Sequence, residues 1–190
     1  MSRTLICLVR HGQTDWNKEF LIQGRYDIPL NDTGRNQIHT TSSKLKRTNI
    51  KWDIFLSSPL SRAVETCEII CKDLGYTDIE IIKRENLIER EFGEADGIPI
   101  SDDVYAKILN DNYKGMETSI EINNRAINEI LDIAKTYPNK NILVTTHSHF
   151  IKGAFTVLDK NLTFKSTLYN GSLNFIFVED TEIVKFYFNK

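Results

Sequence analysis

The amino-acid sequence predicts an α/β fold, a three-layer α/β/α sandwich with a mostly parallel central sheet that contains an antiparallel strand. Short, continuous apolar segments alternate along the chain with segments of helical periodicity. Continuous apolar runs are typical of strands buried on both faces, and strands that alternate with helices favour a parallel sheet covered by helices. The last two apolar segments, residues 173–178 and 183–188, flank four polar residues and predict a hairpin, which supplies the antiparallel pair.

Each strand is predicted from an apolar segment that polar residues interrupt. The first begins at Thr4 and stops before Arg10, and another begins at Asn141 and stops before His147. The predicted strands are residues 4–9, 53–56, 79–83, 141–146, 173–178 and 183–188.

Helices are predicted between these strands. The clearest lies at residues 118–137, where apolar residues recur at helical spacing until Pro138 ends the pattern. Ser58 is placed to cap the helix at residues 59–74, and Pro59 suits its first turn. Residues 86–99 are predicted to be irregular. The predicted helices are residues 32–47, 59–74, 118–137 and 150–158, with a further helix that begins near Ser101.

Composition excludes several classes of function. The 190 residues include 24 Lys and Arg against 26 Asp and Glu, a net charge of −2, which argues against a protein that binds nucleic acid by neutralising many phosphates. No linker, repeat or low-complexity stretch divides residues 1–190, so a single domain is expected. The apolar run at residues 5–9 is far too short to cross a bilayer, and we expect a cytoplasmic protein without a membrane partner.

The three cysteines are expected to be reduced thiols packed in the core. The sequence has three cysteines, an odd number that cannot all pair with one another. Cys7, Cys67 and Cys71 lie among apolar neighbours. Cys67 and Cys71 would share one face of a helix, but a redox pair or a zinc site would need a second pair of ligands.

Residues that can carry chemistry follow three of the predicted strands. Arg10 and His11 follow the first strand, Ser58 and Arg62 follow the strand at residues 53–56, and His147 follows the strand at residues 141–146. Carboxyl ends of parallel strands meet at one edge of the sheet, where binding sites collect. Taken singly, each arginine could form a surface ion pair and each histidine could be structural. Together, two guanidinium groups and two imidazoles favour a compact anion with several oxygens, such as phosphate.

Several other routes to phosphate chemistry lack their motifs in this sequence. There is no Gly-x4-Gly-Lys-Ser/Thr loop, no Gly-x-Gly-x-x-Gly, no Gly-x-Ser-x-Gly elbow, and no cysteine with an arginine six residues on. A neutral imidazole is nucleophilic near pH 7, which leaves attack on phosphorus by a histidine.

A metal-dependent hydrolase is an alternative enzyme class. His147 and His149 are two residues apart, and on an extended segment both side chains would point the same way, as metal ligands can. Such a site needs further ligands, and the other histidines are His11 and His39, the latter expected on a solvated helix face. No metal is therefore predicted.

The segment Leu8-Val-Arg-His-Gly-Gln-Thr-Asp-Trp-Asn17 resembles the signature of the histidine phosphatase superfamily, in its phosphoglycerate mutase-like branch. The resemblance spans nearly the whole chain, because further blocks follow in the family's order. They are Gln23-Gly-Arg-Tyr-Asp-Ile-Pro-Leu30, Leu56-Ser-Ser-Pro-Leu-Ser-Arg-Ala63, Leu87-Ile-Glu-Arg-Glu-Phe-Gly93, Gly115-Met-Glu117 and Val144-Thr-Thr-His147.

The resemblance implies roles for the residues that would bind and attack a phosphoryl group. His11 would be the nucleophile that becomes phosphohistidine. Arg10, Arg62 and His147 would hold the phosphoryl oxygens and neutralise their charge in the transition state. Asn17 would donate to the same oxygens.

The resemblance also implies roles around the leaving group and the organic part of the substrate. Glu89 matches the family's proton donor, which protonates the departing alcohol and then takes a proton from the attacking water. Gln23 and Gly24 align with residues near the substrate. Ser148 stands where the family usually has glycine, so it either adds a hydroxyl donor or tilts the loop. His149 follows it and would either line the pocket or cover it.

The implied function is that of a phosphomonoesterase that needs no metal or other cofactor and hydrolyses a small phosphorylated metabolite. The alternative is a phosphoglycerate mutase, which would use 2,3-bisphosphoglycerate as a primer. Mutases of this family are usually longer and carry a segment that covers the site, so the short stretch between Glu89 and Ser101 favours hydrolysis. A non-catalytic relative that binds a phosphorylated ligand is less favoured, because the catalytic residues are in place. The C-terminal hairpin offers an edge that could pair in a homodimer.

Overall fold

The structure is a computed structural model that describes residues 2–189, and its centre is a mixed six-stranded sheet. The strands are β1 Arg3–Arg10, β2 Ile54–Ser57, β3 Ile81–Lys83, β4 Asn141–Thr146, β5 Leu173–Glu179 and β6 Glu182–Tyr187. They lie in the order β3-β2-β4-β1-β5-β6. Strand β5 is antiparallel to both of its neighbours, and all other pairs are parallel. The predicted mostly parallel sheet with an antiparallel strand is confirmed.

Six α-helices connect the strands or follow them in the described chain. They are α1 Asp15–Lys18, α2 Asp32–Arg47, α3 Ser61–Leu74, α4 Asp102–Leu109, α5 Ser119–Thr136 and α6 Ser148–Leu158. The stretch predicted to be irregular contains two single turns of 3-10 helix, Glu85–Leu87 and Gly93–Ala95. Helix α1 was not predicted, because one turn is too short to show a period. It is held by a reciprocal capping arrangement of Thr14 and Asn17.

Strand β1 contributes to a hydrophobic core on each face of the sheet. Its odd-numbered apolar residues, including Cys7, pack with residues of α2 and α3. Its even-numbered residues Ile6 and Leu8 pack with residues of α5 and α6. Burial on both faces explains why the segment has no polar alternation. The three-layer arrangement is confirmed, and all three cysteines are free and buried, as expected.

Two helices begin at other residues than the sequence predicts. Helix α3 starts at Ser61, with Leu60 at the N-cap position and no side-chain cap. The predicted cap residue, Ser58, instead contacts His147, whose Nε2 lies 2.7 Å from Ser58 Oγ. Helix α6 starts at Ser148 rather than residue 150, because His147 occupies its N-cap position directly after β4.

The register of the parallel strands sets three chain segments side by side at the carboxyl edge of the sheet. Beyond the paired residues, the His11 amide donates to the Thr146 carbonyl at 3.0 Å, and the Ser58 amide donates to the Thr145 carbonyl at 2.9 Å. His11, Ser58 and His147 therefore emerge next to one another. Within residues 2–189, no helix is both long and apolar enough to cross a membrane.

The loop after β1 also packs closely against the start of α2. A Cβ atom on Gly34 would lie 2.2 Å from the Gln13 carbonyl oxygen, and one on Gly12 would lie 2.5 Å from the Gly34 carbonyl oxygen. Both positions therefore require glycine for close approach of two backbones. This contact fixes the loop that carries His11.

Candidate active site

A cavity of about 190 Å³ opens at the carboxyl edge of the sheet. Six of the residues predicted for the site line it: Arg10, His11, Asn17, Gln23, Glu89 and Ser148. The other three predicted residues, Gly24, Arg62 and His147, are not part of the lining. Arg62 and His147 are fully buried beside it.

His11 is held as a neutral ring. Its Nδ1 lies 2.7 Å from the Gly12 carbonyl oxygen, which can only accept, so the proton is assigned to Nδ1. Nε2 is then the nitrogen with a free lone pair. Burial, together with the charges of Arg62 and Arg10, lowers the pKa of His11 well below its usual value. The ring is therefore neutral and nucleophilic at physiological pH.

His147 lies against His11, with ring centroids 5.1 Å apart in an edge-to-face arrangement. Its pKa is also lowered well below the usual value, by burial and by the charge of Arg62. With Nε2 directed to Ser58, its Nδ1 is buried without a hydrogen-bond partner among residues 2–189. A buried polar atom of this kind costs stability unless a ligand or water satisfies it.

Arg10 and Arg62 are held by backbone carbonyls rather than by carboxylates. Arg10 Nη1 donates to the Leu168 carbonyl at 2.5 Å, while its buried Nε has no partner in the described chain. Arg62 donates to the carbonyls of Tyr26 at 2.7 Å and Gly24 at 2.8 Å. Burial lowers the pKa of Arg62 to about 10, so it stays protonated at neutral pH. Carbonyl contacts position both cations without neutralising their charge.

Gln23 connects the cavity with Arg62. In the amide orientation that pairs both of its polar atoms, the Gln23 side-chain oxygen accepts from Arg62 Nε at 2.9 Å and Nη1 at 3.0 Å. The oxygen of Asn17 accepts from the Thr14 amide and from Asn170 Nδ2, both at 3.3 Å. This arrangement leaves the Asn17 amide nitrogen as a donor at the cavity.

Glu89 is 4% exposed, and its carboxylate lies against the N-terminus of α6. One carboxylate oxygen accepts from the amides of Arg90 at 2.9 Å, His149 at 3.0 Å and Phe150 at 3.3 Å. The positive end of a helix and its free amides are a favourable place for a carboxylate. The carboxylate therefore has a fixed position in the lining of the cavity.

Arg125 on α5 is a site-supporting residue that the sequence analysis missed. Its Nη1 donates to the carbonyls of Asn86 at 2.7 Å and Ile88 at 2.8 Å, and its Nη2 reaches the Glu89 carbonyl at 3.3 Å. Glu117 holds the same guanidinium through both carboxylate oxygens, at 2.7 and 2.8 Å. The quoted block Gly115-Met-Glu117 was the one available signal, because it contains this partner.

One wall of the cavity consists of residues that the sequence left without a role. His149 lines the cavity, with its ring stacked on Phe164 at 4.8 Å and edge-on to Phe92 at 4.9 Å. Tyr105 and Lys152 also line it, and both donate to the Phe164 carbonyl. Of the two placements that the sequence allowed for His149, the structure shows the one in which it lines the cavity.

The rings of His147 and His149 do not share a common direction of approach. His147 faces Ser58 and His11, whereas His149 lies between aromatic rings. Over residues 2–189, no three His, Cys, Asp or Glu side chains are grouped so that they could hold a metal ion.

The buried imidazoles make stability depend on pH. The pKa values of His11, His147 and His149 all lie well below 6.5, mainly because of burial. Below about pH 6.5 the unfolded chain therefore binds protons that the folded chain does not. Each ring then lowers the free energy of unfolding by about 1.4 kcal/mol for every pH unit. Asp96 opposes this trend, since burial raises its pKa to about 6 and the folded chain gains a proton there.

We expect the free energy of unfolding to be greatest above pH 6.5 and to fall by about 3 kcal/mol per unit between pH 6 and pH 5. Urea unfolding at several pH values measures this slope. His149→Gln should reduce it by about 1.4 kcal/mol per unit, since one ring is removed. An unchanged slope in that variant would contradict a neutral, buried His149.

Comparison with known proteins agrees with this geometry. The model of the histidine phosphatase superfamily (branch 1) matches residues 6–186. A Bacillus subtilis (strain 168) protein named uncharacterized phosphatase PhoE is 39% identical over 154 residues, which cover 80% of this chain and 76% of that protein. A 2,3-bisphosphoglycerate-dependent phosphoglycerate mutase of Allorhizobium ampelinum is 33% identical over 84% of this chain and 81% of its own.

A similar solved structure is that of phosphoserine phosphatase from Entamoeba histolytica in complex with 3-phosphoglyceric acid. It has a TM-score of 0.79 at 27% sequence identity, and the match covers 98% of this chain and 97% of that chain. With the family model matching almost from end to end, the chain belongs to the histidine phosphatase superfamily, branch 1.

Proposed function

We propose that this protein is a metal-independent phosphomonoesterase that hydrolyses a small phosphorylated metabolite through a phosphohistidine on His11. The observation that carries the proposal is the neutral His11 ring, with its lone pair on Nε2, in the lining of a cavity beside Arg10 and Arg62. A relative named as a phosphatase and a solved phosphatase that binds 3-phosphoglyceric acid support this class of substrate. We also propose a single domain, supported by a sheet that pairs the first strand with β5 near the other end of the chain.

The phosphoryl group would be bound by positive charge and hydrogen-bond donors. Two buried nitrogens, Arg10 Nε and His147 Nδ1, have no hydrogen-bond partner in residues 2–189. A phosphoryl oxygen near these atoms would remove their desolvation cost. Asn17 adds an amide donor, and the charge of Arg62 stabilises the negative oxygens from behind the lining.

In the first chemical step, the lone pair on His11 Nε2 attacks phosphorus as the bond between phosphorus and the ester oxygen breaks. Glu89 gives its proton to the departing oxygen, which leaves as an alcohol. In the second step, water attacks phosphorus, the nitrogen–phosphorus bond breaks, and Glu89 takes up a proton of that water. The sum is one ester and one water converted to one alcohol and one phosphate.

A phosphoglycerate mutase is the second candidate, because one relative of 33% identity is named as such. Both reactions would use the same phosphoenzyme and differ in the acceptor, which is water or a hydroxyl of the bound intermediate. Residues 90–101 between Glu89 and α4 form a short connection. A short connection leaves water access to the cavity, so we favour hydrolysis.

We expect the purified protein to release inorganic phosphate from members of a phosphorylated-metabolite panel. His11→Ala should lower kcat/KM by at least about 10³-fold, because it removes the nucleophile. His39→Ala is the matched control, since His39 lies on α2 and pairs with Asp73. Activity that persists in His11→Ala, or that EDTA abolishes for good, contradicts the proposal. Isomerisation of phosphoglycerate only with added 2,3-bisphosphoglycerate supports the mutase.

Glu89→Gln should separate substrates by their leaving groups. An amide cannot donate a proton as a carboxylic acid does, so kcat/KM for alkyl phosphates should fall by about 10²-fold or more. The loss with p-nitrophenyl phosphate, whose leaving group needs little protonation, should be less than about 10-fold. Glu94→Gln, at an exposed position of the same segment, is the control. Equal losses for both esters would exclude an acid role for Glu89.

Arg125 should act as a positioning residue for Glu89. Arg125→Lys keeps the charge but loses the planar fork that contacts three carbonyls. We expect kcat for alkyl phosphates to fall about 10- to 100-fold with little change in KM. In a Glu89→Gln background the same change should add little further loss, because both variants disable one function. Full additivity of the two losses would indicate a general structural role.

A further inference from the structure

Asp96 is a half-buried carboxylate that the mechanism does not use. It directly follows the 3-10 turn Gly93–Ala95, and its Oδ1 accepts from the Gly24 amide at 2.8 Å. A Cβ atom on Gly24 would lie 2.5 Å from this oxygen and 3.1 Å from the Arg90 carbonyl oxygen. Only glycine leaves room for this contact. The carboxylate therefore lies directly against the backbone of Gly24.

Gly24 also carries one of the acceptors that hold Arg62. Arg62 Nη2 donates to the Gly24 carbonyl at 2.8 Å, and Nη1 donates to the Tyr26 carbonyl at 2.7 Å. The Gln23 side-chain oxygen accepts from Nε and Nη1. In the described chain, every hydrogen bond of this guanidinium group therefore goes to residues 23–26. The orientation of Arg62 beside the cavity depends on where this segment lies.

The segment that holds the guanidinium group is itself anchored by residues 96–98. Ile22 exchanges two backbone hydrogen bonds of 2.9 Å with this stretch. Residues 25–26 are exposed, so packing does little to place their carbonyls. Between these two parts, the Gly24 amide is held by Asp96. A shift of the Asp96 carboxylate would thus move the Gly24 carbonyl and the guanidinium group bonded to it.

The charge of Asp96 has neighbours of both signs. Burial and the negative charges of Glu91 and Glu89 raise the pKa of Asp96 to about 6, while the hydrogen bond from Gly24 opposes the rise. Burial lowers the pKa of Arg62 to about 10, and Asp96 is one of the carboxylates that oppose this effect. An asparagine would accept from Gly24 without the cost of burying a charge. The cost is explained if the charge itself acts on Arg62 and on the bond to Gly24.

Protonation of Asp96 weakens both effects. The carboxylate forms a charge-assisted bond with the Gly24 amide, whereas a neutral carboxyl group forms an ordinary one. The attraction between Asp96 and Arg62 also ends when the charge is lost. Glu91, which lies 3.5 Å from Arg25, can accept the hydrogen bond of the protonated group. The restraint on Arg62 therefore weakens as the pH falls through the pKa of Asp96, about 6.

We propose that the Asp96 carboxylate positions Arg62 for the phosphoryl group through the backbone of Gly24, and that this positioning is lost in mildly acidic solution. The proposal rests on the phosphatase function proposed above, because it concerns a cation that serves the phosphoryl group there. Asp96 does not line the cavity, so it acts through Arg62 and does not contact the substrate. The proposal also gives a role to Gly24, which the family resemblance relates to the substrate and which does not line the cavity either.

Nuclear magnetic resonance tests this link without any turnover. The signals to follow are the backbone amide of Gly24 and the Nε–H group of Arg62, which is buried and donates to Gln23. We expect both signals to titrate with one midpoint at about pH 6, the pKa of Asp96. Asp96→Asn should remove both titrations. The matched control Glu94→Gln, at an exposed position of the same segment, should keep both.

Enzyme kinetics tests the consequence for the reaction. The quantity to measure is the ratio of kcat/KM for the wild-type protein to that for Asp96→Asn at each pH, because the ionisation of the substrate cancels in this ratio. We expect a ratio of about 10 above about pH 7, and a fall to about 1 near about pH 5, where both proteins have a neutral side chain at this position. The ratio should be the same for an alkyl phosphate and for p-nitrophenyl phosphate, since Arg62 serves the phosphoryl group and not the leaving group. For Glu94→Gln it should stay at about 1 throughout.

Each other outcome has a distinct meaning. If Gly24 titrates but Arg62 does not, or if Arg62 still titrates in Asp96→Asn, then Asp96 does not position Arg62 and the proposal is wrong. If the kinetic ratio does not change with pH, Asp96 has only a structural role, and the proposal is likewise overturned. In both cases, hydrolysis of p-nitrophenyl phosphate by the wild-type protein leaves the phosphatase function standing.

Failure of the phosphatase function gives a different result. If the wild-type protein hydrolyses no phosphomonoester, that function is wrong, and the titration of Arg62 still decides whether Asp96 positions it. Should Asp96→Asn not fold, the wild-type signals decide the matter, because separate midpoints for Gly24 and Arg62 would contradict the link.

Discussion

Burial of positive charge at the carboxyl edge of the sheet is the constraint on which the site depends. Arg62 is fully buried and Arg10 is half-buried at the cavity, and carbonyl oxygens orient both guanidinium groups without cancelling their charge. Beside them, His11 and His147 stay neutral because a further buried cation would be too costly. The same burial thus creates both an attraction for anions and a nucleophilic imidazole. In the proposed function, a phosphoryl dianion is the ligand that completes this arrangement.

Much of the site could be predicted because strand ends and sheet register are local and regular. Arg10 is the last residue of β1, His11 directly follows it, and His147 directly follows β4. The parallel pairing of these two strands alone brings the three residues together. The position of Arg62 depends instead on irregular backbone, since the carbonyls of Gly24 and Tyr26 hold it. No periodic pattern encodes such contacts. The family resemblance supplied what the physical pattern did not.

The residues that escaped prediction act across long sequence separations. Arg125 reaches the segment before Glu89 from the middle of α5, where helical periodicity shows only that it is not a core residue. Lys152 lies in an apolar helix, and it is buried against the segment of Phe164, whose carbonyl accepts from its Nζ. The start of α3 was misplaced for a related reason, because the hydroxyl of Ser58 contacts His147 instead of the helix. Arg125 holds the backbone at Glu89, Lys152 lies in the cavity wall, and Ser58 contacts His147.

The central claim is that His11 carries the phosphoryl group during turnover. Rapid mixing with 3-phosphoglycerate, quenching in base and peptide mass spectrometry locate any covalent phosphate, since phosphohistidine survives base and is lost in acid. The account predicts label on the peptide that contains His11, attached at Nε2 because Nδ1 faces the Gly12 carbonyl. Label on another residue, or turnover without any phosphoenzyme, would contradict it.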